Sequence, residues 1–389
     1  MKLHLFNPEN DLALADGGFS YCPPPAAARI ANELASLPLW YADRCDVVYL
    51  PAEHTAYRNE MAAMFELPES YIPSMQSQVT ALSPWGWSAL MRHRFKAMGF
   101  EKNLLPTDGE IELMRNLSSR VLTIDVLSAL REAGIHTPPM PRYVDSLEEA
   151  VSFVNACERC VVKAPWSGSG KGIMWGIGHA EEPMVHFCRG VIRRQGGVVC
   201  EHFLNAKVEF AMEFRAASAG VEFVGYSLFN AENGAYTGNL LASNAHIESL
   251  LSEHISIEQL AVVKRQLCDI MHTRLAGSGY RGYFGVDMML YDNGEGCRLN
   301  PCMEINLRMN MGVVARLFYD RFVQSDCRGI YRVSFFKQQG EAYNFHRDMQ
   351  AAHPLKVENG RVVRGYMNLA PVTPENRYIA YVIIGADIY

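Results

Sequence analysis

The sequence predicts an α/β and α+β protein: a parallel α/β region at the N-terminus, a central α+β region, and a β-rich C-terminal extension. Over residues 1–117, short apolar runs alternate with amphipathic stretches, as strands do when helices connect them in parallel. Farther on, long apolar runs come in pairs around Gly220 and around Asp292-Asn293-Gly294, sequences suited to turns between antiparallel strands. The tail carries a further Asn359-Gly360 turn signal and a last apolar run over residues 378–384.

With 389 residues there is room for two to three domains and a large core. Hydrophobic residues at 49% and charged residues at 20% describe an ordinary globular chain without a bias to disorder. A formal net charge of -6 argues against nucleic acid as the main partner, because phosphate-backbone binders show a basic excess. The apolar run before Asn7-Pro8-Glu9-Asn10-Asp11 is too short for a secretory signal, and none is long enough for a bilayer span. Ten cysteines, many inside apolar runs such as Cys188, Cys200 and Cys268, fit reduced, buried thiols and a cytoplasmic location. The Cys157-x-x-Cys160 pair lacks a second Cys/His pair at zinc spacing, so a structural zinc is not expected.

In chain order, residues 3–6 and 47–50 are expected as buried strands. Residues 26–37, after Pro23-Pro24-Pro25, and 87–98 are expected as helices. The segment from Asn7 to Gly18 follows the first strand, where open α/β sheets place ligands. Its Asn7, Glu9, Asn10 and Asp11 have either a functional role or the ordinary one of bonding a turn's backbone. A helix over 118–133 stops at Gly134, and Ser146 with Glu149 caps another that runs to Cys157. A strand with Lys163, a Gly/Ser loop and a second apolar run over 173–177 predict an antiparallel flap. Then follow a helix over 181–195, a strand over 198–203, and a hairpin of 208–219 and 221–229. A helix capped by Ser256 and Gln259 precedes strands over 283–291 and 297–310, and a helix over 313–323 comes after them.

The loop Ser167-Gly168-Ser169-Gly170-Lys171-Gly172 has the composition that lets backbone N–H groups approach phosphate oxygens. A Walker A loop needs glycine five positions before its Gly-Lys pair and a hydroxyl residue after it. Here Pro165 and Gly172 stand there. A dinucleotide fingerprint needs a third glycine opening a helix, whereas Ile173-Met174-Trp175 continues as strand. What survives is a glycine loop closing a hairpin. Lys163, among Val161, Val162 and Ala164, needs an anionic partner, either an internal carboxylate or a nucleotide phosphate.

In Met303-Glu304-Ile305-Asn306-Leu307-Arg308 the polar residues alternate, so Glu304, Asn306 and Arg308 share one strand face that should line a polar site. Asp287, between Val286 and Met288, comes near Glu304 if the two strands pair. Adjacent carboxylates repel unless a cation lies between them, and an Asp/Glu/Asn oxygen set suits Mg²⁺. The alternative is an internal Arg308–Glu304 salt bridge. A third cluster, Glu201-His202-Phe203-Leu204 followed by Glu209, has the strand–connector–strand form of a hinge around an adenine.

With these clusters in this order, residues 118–322 resemble the ATP-grasp superfamily, which includes D-alanine–D-alanine ligase and biotin carboxylase. The resemblance is strongest at Gly285-Val286-Asp287 and Glu304-Ile305-Asn306-Leu307-Arg308. It implies a pre-ATP-grasp α/β domain over 1–117, a small lobe with the flap over 118–200, a large lobe with the metal site over 201–325, and the extension over 326–389. It also implies that Asp287, Glu304 and Asn306 hold Mg²⁺ (or Mn²⁺) and that Lys163 contacts the α-phosphate region. The 167–172 loop would cover the β- and γ-phosphates, while Glu201 to Leu204 and Glu209 hold adenosine. Arg308 would stabilise the reacting anion. Arg120, about a turn earlier than usual, is the counterpart of the family's first nucleotide-binding basic residue. Where D-alanine-type ligases carry an arginine two positions before the metal aspartate, Gly285 stands here, with Arg281 in the adjacent turn as a substitute.

The implied activity is ATP- and Mg²⁺-dependent ligation of a small-molecule carboxylate to an amine or thiol, with homo-oligomerisation left open. An ATP-dependent small-molecule kinase and a non-catalytic nucleotide-binding regulator are the alternatives. Acceptor recognition is expected in residues 230–239, with Glu232, Tyr236 and Asn239, unless that stretch is only a polar hairpin.

Overall fold

The computed structural model describes the backbone of residues 1–168, 172–232 and 235–385, and their side chains except those of 230–237. Three sheets organise it. The first is wholly parallel, in the order β3-β2-β1-β4, from β1 (Lys2–Leu5), β2 (Val47–Val48), β3 (Glu69–Ser70) and β4 (Ala81–Pro84). Helices connect these strands, as the alternation of patterns in 1–117 predicts. The helix Asp108–Leu117, after the last of these strands, was not foreseen, although Thr107 and Glu110 close a complete capping box at its start.

The second sheet is antiparallel in the order β5-β8-β6-β7: β5 (Arg142–Val144), β6 (Arg159–Lys163), β7 (Ile173–Ile177) and β8 (Val198–His202). Helices Leu147–Ala156 and Glu182–Gln195 cover one face, burying Val154, Cys160, Val162, Met184, Cys188 and Cys200. Strand alternation therefore turns Val161, Lys163, Val199 and Glu201 to the opposite face. The glycine loop joins β6 to β7, as the composition predicts.

The third sheet has nine strands in the order β13-β12-β9-β10-β11-β14-β17-β16-β15. Its first half is β9 (Asn205–Ala217), β10 (Gly220–Glu232), β11 (Ala235–Leu241), β12 (Gly282–Asp292) and β13 (Cys297–Asn306). Helices Val121–Glu132 and Ile257–Arg274 pack beneath it on Phe210, Met212, Phe214, Phe284, Val286 and Met288. The sheet continues without a break into β14 (Gly329–Phe335), β15 (Lys356–Glu358), β16 (Arg361–Asn368) and β17 (Tyr378–Ile384). The C-terminal extension thus prolongs the sheet of the preceding region, and it includes a helix, Glu341–Ala352. Asn359 and Gly360 both have positive φ (51° and 72°), the backbone of a tight hairpin turn between β15 and β16.

All ten cysteines are free. No described helix is long and apolar enough to cross a membrane.

Candidate functional site

Because even positions of β9 and β12 face the helices, odd positions face the cleft. Asp287 lies opposite Glu304 on one side and Ala211 on the other, and Gly285 lies between Asn306 and Glu213. The predicted row therefore assembles: Asp287, Glu304 and Asn306 stand on adjacent strands, with Asn306 Nδ2 donating to Asp287 Oδ2 at 3.0 Å. Burial, reinforced by the Glu304 charge, raises the Asp287 carboxyl to about 7. Although Asp287 as a residue keeps some exposure, its carboxyl lies deep in the cleft.

The cations come from other elements. Arg120, buried at the start of helix Val121–Glu132, donates from Nη2 to Glu304 Oε1 at 2.8 Å, and from Nη1 to Ala164 O at 2.7 Å and Ser167 Oγ at 2.5 Å. One side chain thus ties the carboxylate row to the entry of the glycine loop. The loop base is fixed further: Ala164 N donates to Gly172 O at 2.8 Å, Trp166 Nε1 donates to Arg115 O at 2.8 Å, and Gln195 bonds the Trp166 backbone in both directions. Gly168 and Gly172 lie within the described residues, while Ser169, Gly170 and Lys171 lie outside them.

Lys163 Nζ lies 2.7 Å from Glu201 Oε2, so the internal carboxylate is its partner here. Glu209 is in the same neighbourhood. Burial raises its carboxyl, and the Lys163 charge opposes the rise. Beyond Glu201, His202 is exposed with its ring against Phe153, and Phe203 lies under the Arg159 guanidinium, 3.5 Å from ring centre. Phe203 and Leu204 line a cleft of about 650 Å³ with His136, Pro139, Tyr291 and Asp292. Tyr291 is four residues along β12 from Asp287, so this cleft lies about 13 Å along the strand from the carboxylate row.

Arg308 does not pair with Glu304. Its Nε and Nη2 donate to the two oxygens of Asp11 at 2.7 and 2.6 Å, and Nη1 donates to Met309 O at 3.1 Å. Sequence reasoning noticed Asp11 but gave it no partner, since nothing local links positions 297 residues apart. Asn10, by contrast, packs closely on Gly86.

Glu213 was missed altogether. It is 1% exposed, takes a bond from Asn310 Nδ2 at 2.9 Å, and has its carboxyl raised to about 8 by burial and the nearby Asp287 charge. Gly285 is needed beside it, since a Cβ there would come within 2.6 Å of Glu213 Oε2 and Asn310 Nδ2. An arginine at 285 has no room. Arg281 does not take that place: it is exposed, bonds its neighbour's carbonyl (Tyr280 O, 2.7 Å), and precedes the far end of β12. Asn239 is buried, its Nδ2 donating to Ser227 Oγ at 2.5 Å, and Ser227 with Glu213 flanks Gly312. Residues 230–232 and 235–239 belong to the paired ends of β10 and β11, and the Tyr236 and Glu232 side chains lie outside the described set.

Charge balance shows what the site lacks. Among the described residues, Arg120, Lys163 and Arg308 pair with Glu304, Glu201 and Asp11. Glu209, Glu213 and Asp287 have no ion-pair partner there, and all three carboxyls are raised. Carboxyls raised in this way ionise when a cation binds beside them, so the cluster suits one. Asp287, Glu304 and Asn306 supply only hard oxygen donors, which fits Mg²⁺ with water and phosphate oxygens completing its shell. No described group of three His, Cys, Asp or Glu side chains forms a protein-only cage.

No protein-family model and no curated protein matches the sequence. Solved structures do match, over the full chain. N5-carboxyaminoimidazole synthetase from Staphylococcus aureus, complexed with ADP, aligns at 12% identity and a TM-score of 0.51, covering 100% of this chain and 94% of that one. The biotin carboxylase domain of Hydrogenobacter thermophilus 2-oxoglutarate carboxylase, in complex with MgADP, ADP and bicarbonate, aligns at 15% identity and 0.54, covering 100% and 86%. Biotin carboxylase from Campylobacter jejuni aligns at 12% and 0.51, covering 98% and 87%. What these structures share with this chain is a fold, and that fold is ATP-grasp. The chain has it together with a leading parallel α/β region and a trailing run of strands.

Proposed function

We propose that the protein is an ATP- and Mg²⁺-dependent ligase that activates a carboxylate as an acyl phosphate for attack by an amine or thiol. The observation that carries this is the row of Asp287, Glu304 and Asn306 with Arg120 bonded to Glu304, the Arg308 charge close to Glu304 and Asp287, and Lys163 next to the Ala164 carbonyl that Arg120 also bonds. The fold supports it too, since the similar structures were determined with ADP, MgADP and bicarbonate.

In this reading the carboxylate oxygen of the acid displaces ADP from the γ-phosphorus. The amine then attacks the acyl carbon, phosphate leaves, and the amine's proton passes to solvent or a nearby base. Mg²⁺ held by Asp287, Glu304 and Asn306 would neutralise charge on the phosphates. Lys163 and the glycine-loop backbone bind phosphate oxygens, with Glu201 giving up its hold on Lys163 as nucleotide enters. Arg120 orients Glu304 and the loop entry together. Arg308 stabilises the oxyanion at the acyl centre, and the closed loop excludes the water that would hydrolyse the acyl phosphate. The hinge cleft at Phe203 and Leu204, with Glu201 and Glu209 nearby, takes adenosine.

The test is a screen of amino acids, dipeptides and small diacids for stimulated ADP release. Release that needs both an acid and an amine, with one phosphate per ADP, is expected. Glu304→Ala should abolish it while the fold persists. A phosphorylated product without free phosphate would instead indicate a kinase, and nucleotide binding with no turnover a regulator.

A further inference from the structure

We propose that Asp11 is a positioning residue for this reaction, holding Arg308 in the one orientation that presents its free donors to the reacting anion. A guanidinium has five N–H groups in a rigid fork. Asp11 takes Nε and one hydrogen of Nη2, and Met309 O takes one hydrogen of Nη1. One hydrogen remains on each Nη, so a guanidinium held this way keeps two donors for the oxygens of a carboxylate or a tetrahedral centre.

The clamp is itself fixed. Asn7 bonds Gly86 in both directions (Nδ2 to O at 2.9 Å, and Gly86 N to Oδ1 at 3.3 Å), and Arg94 Nη1 donates to Glu9 Oε1 at 2.6 Å. Arg115 Nε donates to Leu14 O at 2.7 Å, one turn after Asp11. The Asp11 carboxylate also sets a limit on the glycine loop: a Cβ on Gly168 would collide with Asp11 Oδ2. The carboxylate cannot yield to such a group without releasing Arg308. The N-terminal domain, the loop entry and the arginine of the reacting centre therefore meet at one side chain.

The catalytic part of this inference rests on the ligase reading, and the experiment separates the two. Asp11→Asn keeps the shape and removes the charge and one of the two acceptors. In the full-length protein it should lower kcat about a hundredfold, the scale of a misplaced reacting group, while leaving the KM for ATP within about twofold. Asp11→Asn combined with Arg308→Ala should be no slower than Arg308→Ala alone. Independently of turnover, ¹⁵N NMR of the arginine side chains should show slow rotation of the Arg308 guanidinium in the wild type and fast rotation in Asp11→Asn. Unchanged rotation overturns the clamp, as does a loss of kcat that comes with an equal rise in KM or a large fall in melting temperature. If the wild type releases no ADP with any acceptor, the ligase reading fails while the NMR still decides the clamp.

Discussion

Glu213 is a carboxyl with one bond from Asn310 and no ion-pair partner among the described residues, and burial outweighs the pull of the Arg308 charge, so its ionisation opposes folding. Its pKa lies at about 8 in the folded protein, against 4.5 for the free side chain. The folded state therefore binds the proton more tightly, and stability falls as pH rises from about 4.5 through about 8. Glu213→Gln imitates the protonated form and removes this dependence. In Mg²⁺-free buffer, melting temperatures of wild type and Glu213→Gln should match near pH 5 and separate by pH 9, with the variant the more stable. Parallel curves would show that Glu213 does not titrate as described. An acid between Met212 and Phe214 carries the same sequence signal that exposed Asp287 between Val286 and Met288, so Glu213 was legible and overlooked. The Arg308–Asp11 pair was not legible, because a tertiary contact across 297 residues leaves no local pattern.

At the scale of elements, glycines decide how closely strands and helices carrying this polar cluster approach. Gly312 opens the helix Met311–Phe322 directly over Glu213 and Ser227, and a Cβ there would overlap both Glu213 Oε1 and Ser227 Oγ. Glu213 has no retreat, with Gly285 and Asn310 against its other oxygen. Gly312→Ala should cost about 1–3 kcal/mol by overpacking. Gly109→Ala, in a helix with nothing within 4 Å, should be neutral or stabilise by up to about 1 kcal/mol. Denaturant midpoints compare them, and a Glu213→Ala background should recover part of the Gly312→Ala loss, since it removes one of the two obstructing groups. Elements with local signals were legible: the Asp292-Asn293-Gly294 turn, the Ser256/Gln259 cap, and the Asn359-Gly360 hairpin all appear. Helix Glu341–Ala352 has no side-chain cap and begins after a left-handed Gly340, so nothing announces it. The pairing of β11 with β14, which makes one sheet of two regions, is non-local and equally silent.

For the whole molecule, the question is what holds the N-terminal domain where Asp11 can reach Arg308. Trp40 is fully buried, with Phe65, Phe318 and Phe322 edge-on around it at 5.4–5.7 Å and its Nε1 donating to Leu369 O at 2.8 Å. Tyr57 Oη donates to Asn368 O at 2.8 Å, Arg321 Nη1 to Ala42 O at 2.6 Å, and the Arg377 and Tyr378 amides to Glu33 Oε2. Phe318 and Phe322 belong to the helix that follows Arg308 by three residues, so the same contact that docks the N-terminal region also fixes the continuation of the strand that carries Glu304 and Asn306. An apolar junction of this kind couples the two regions in unfolding. Trp40→Ala removes a fully buried indole and leaves Leu369 O without its donor, a loss of about 3–5 kcal/mol. Far-ultraviolet circular dichroism and the fluorescence of a probe at Cys297, which lies on the large sheet, should give coincident urea transitions in the wild type. Trp40→Ala should move both to lower urea together. A probe transition that stays put while the circular dichroism shifts would mean that the N-terminal domain unfolds alone. The junction would then be too weak to place Asp11, and Arg308 would depend on it only while the two regions happen to be docked.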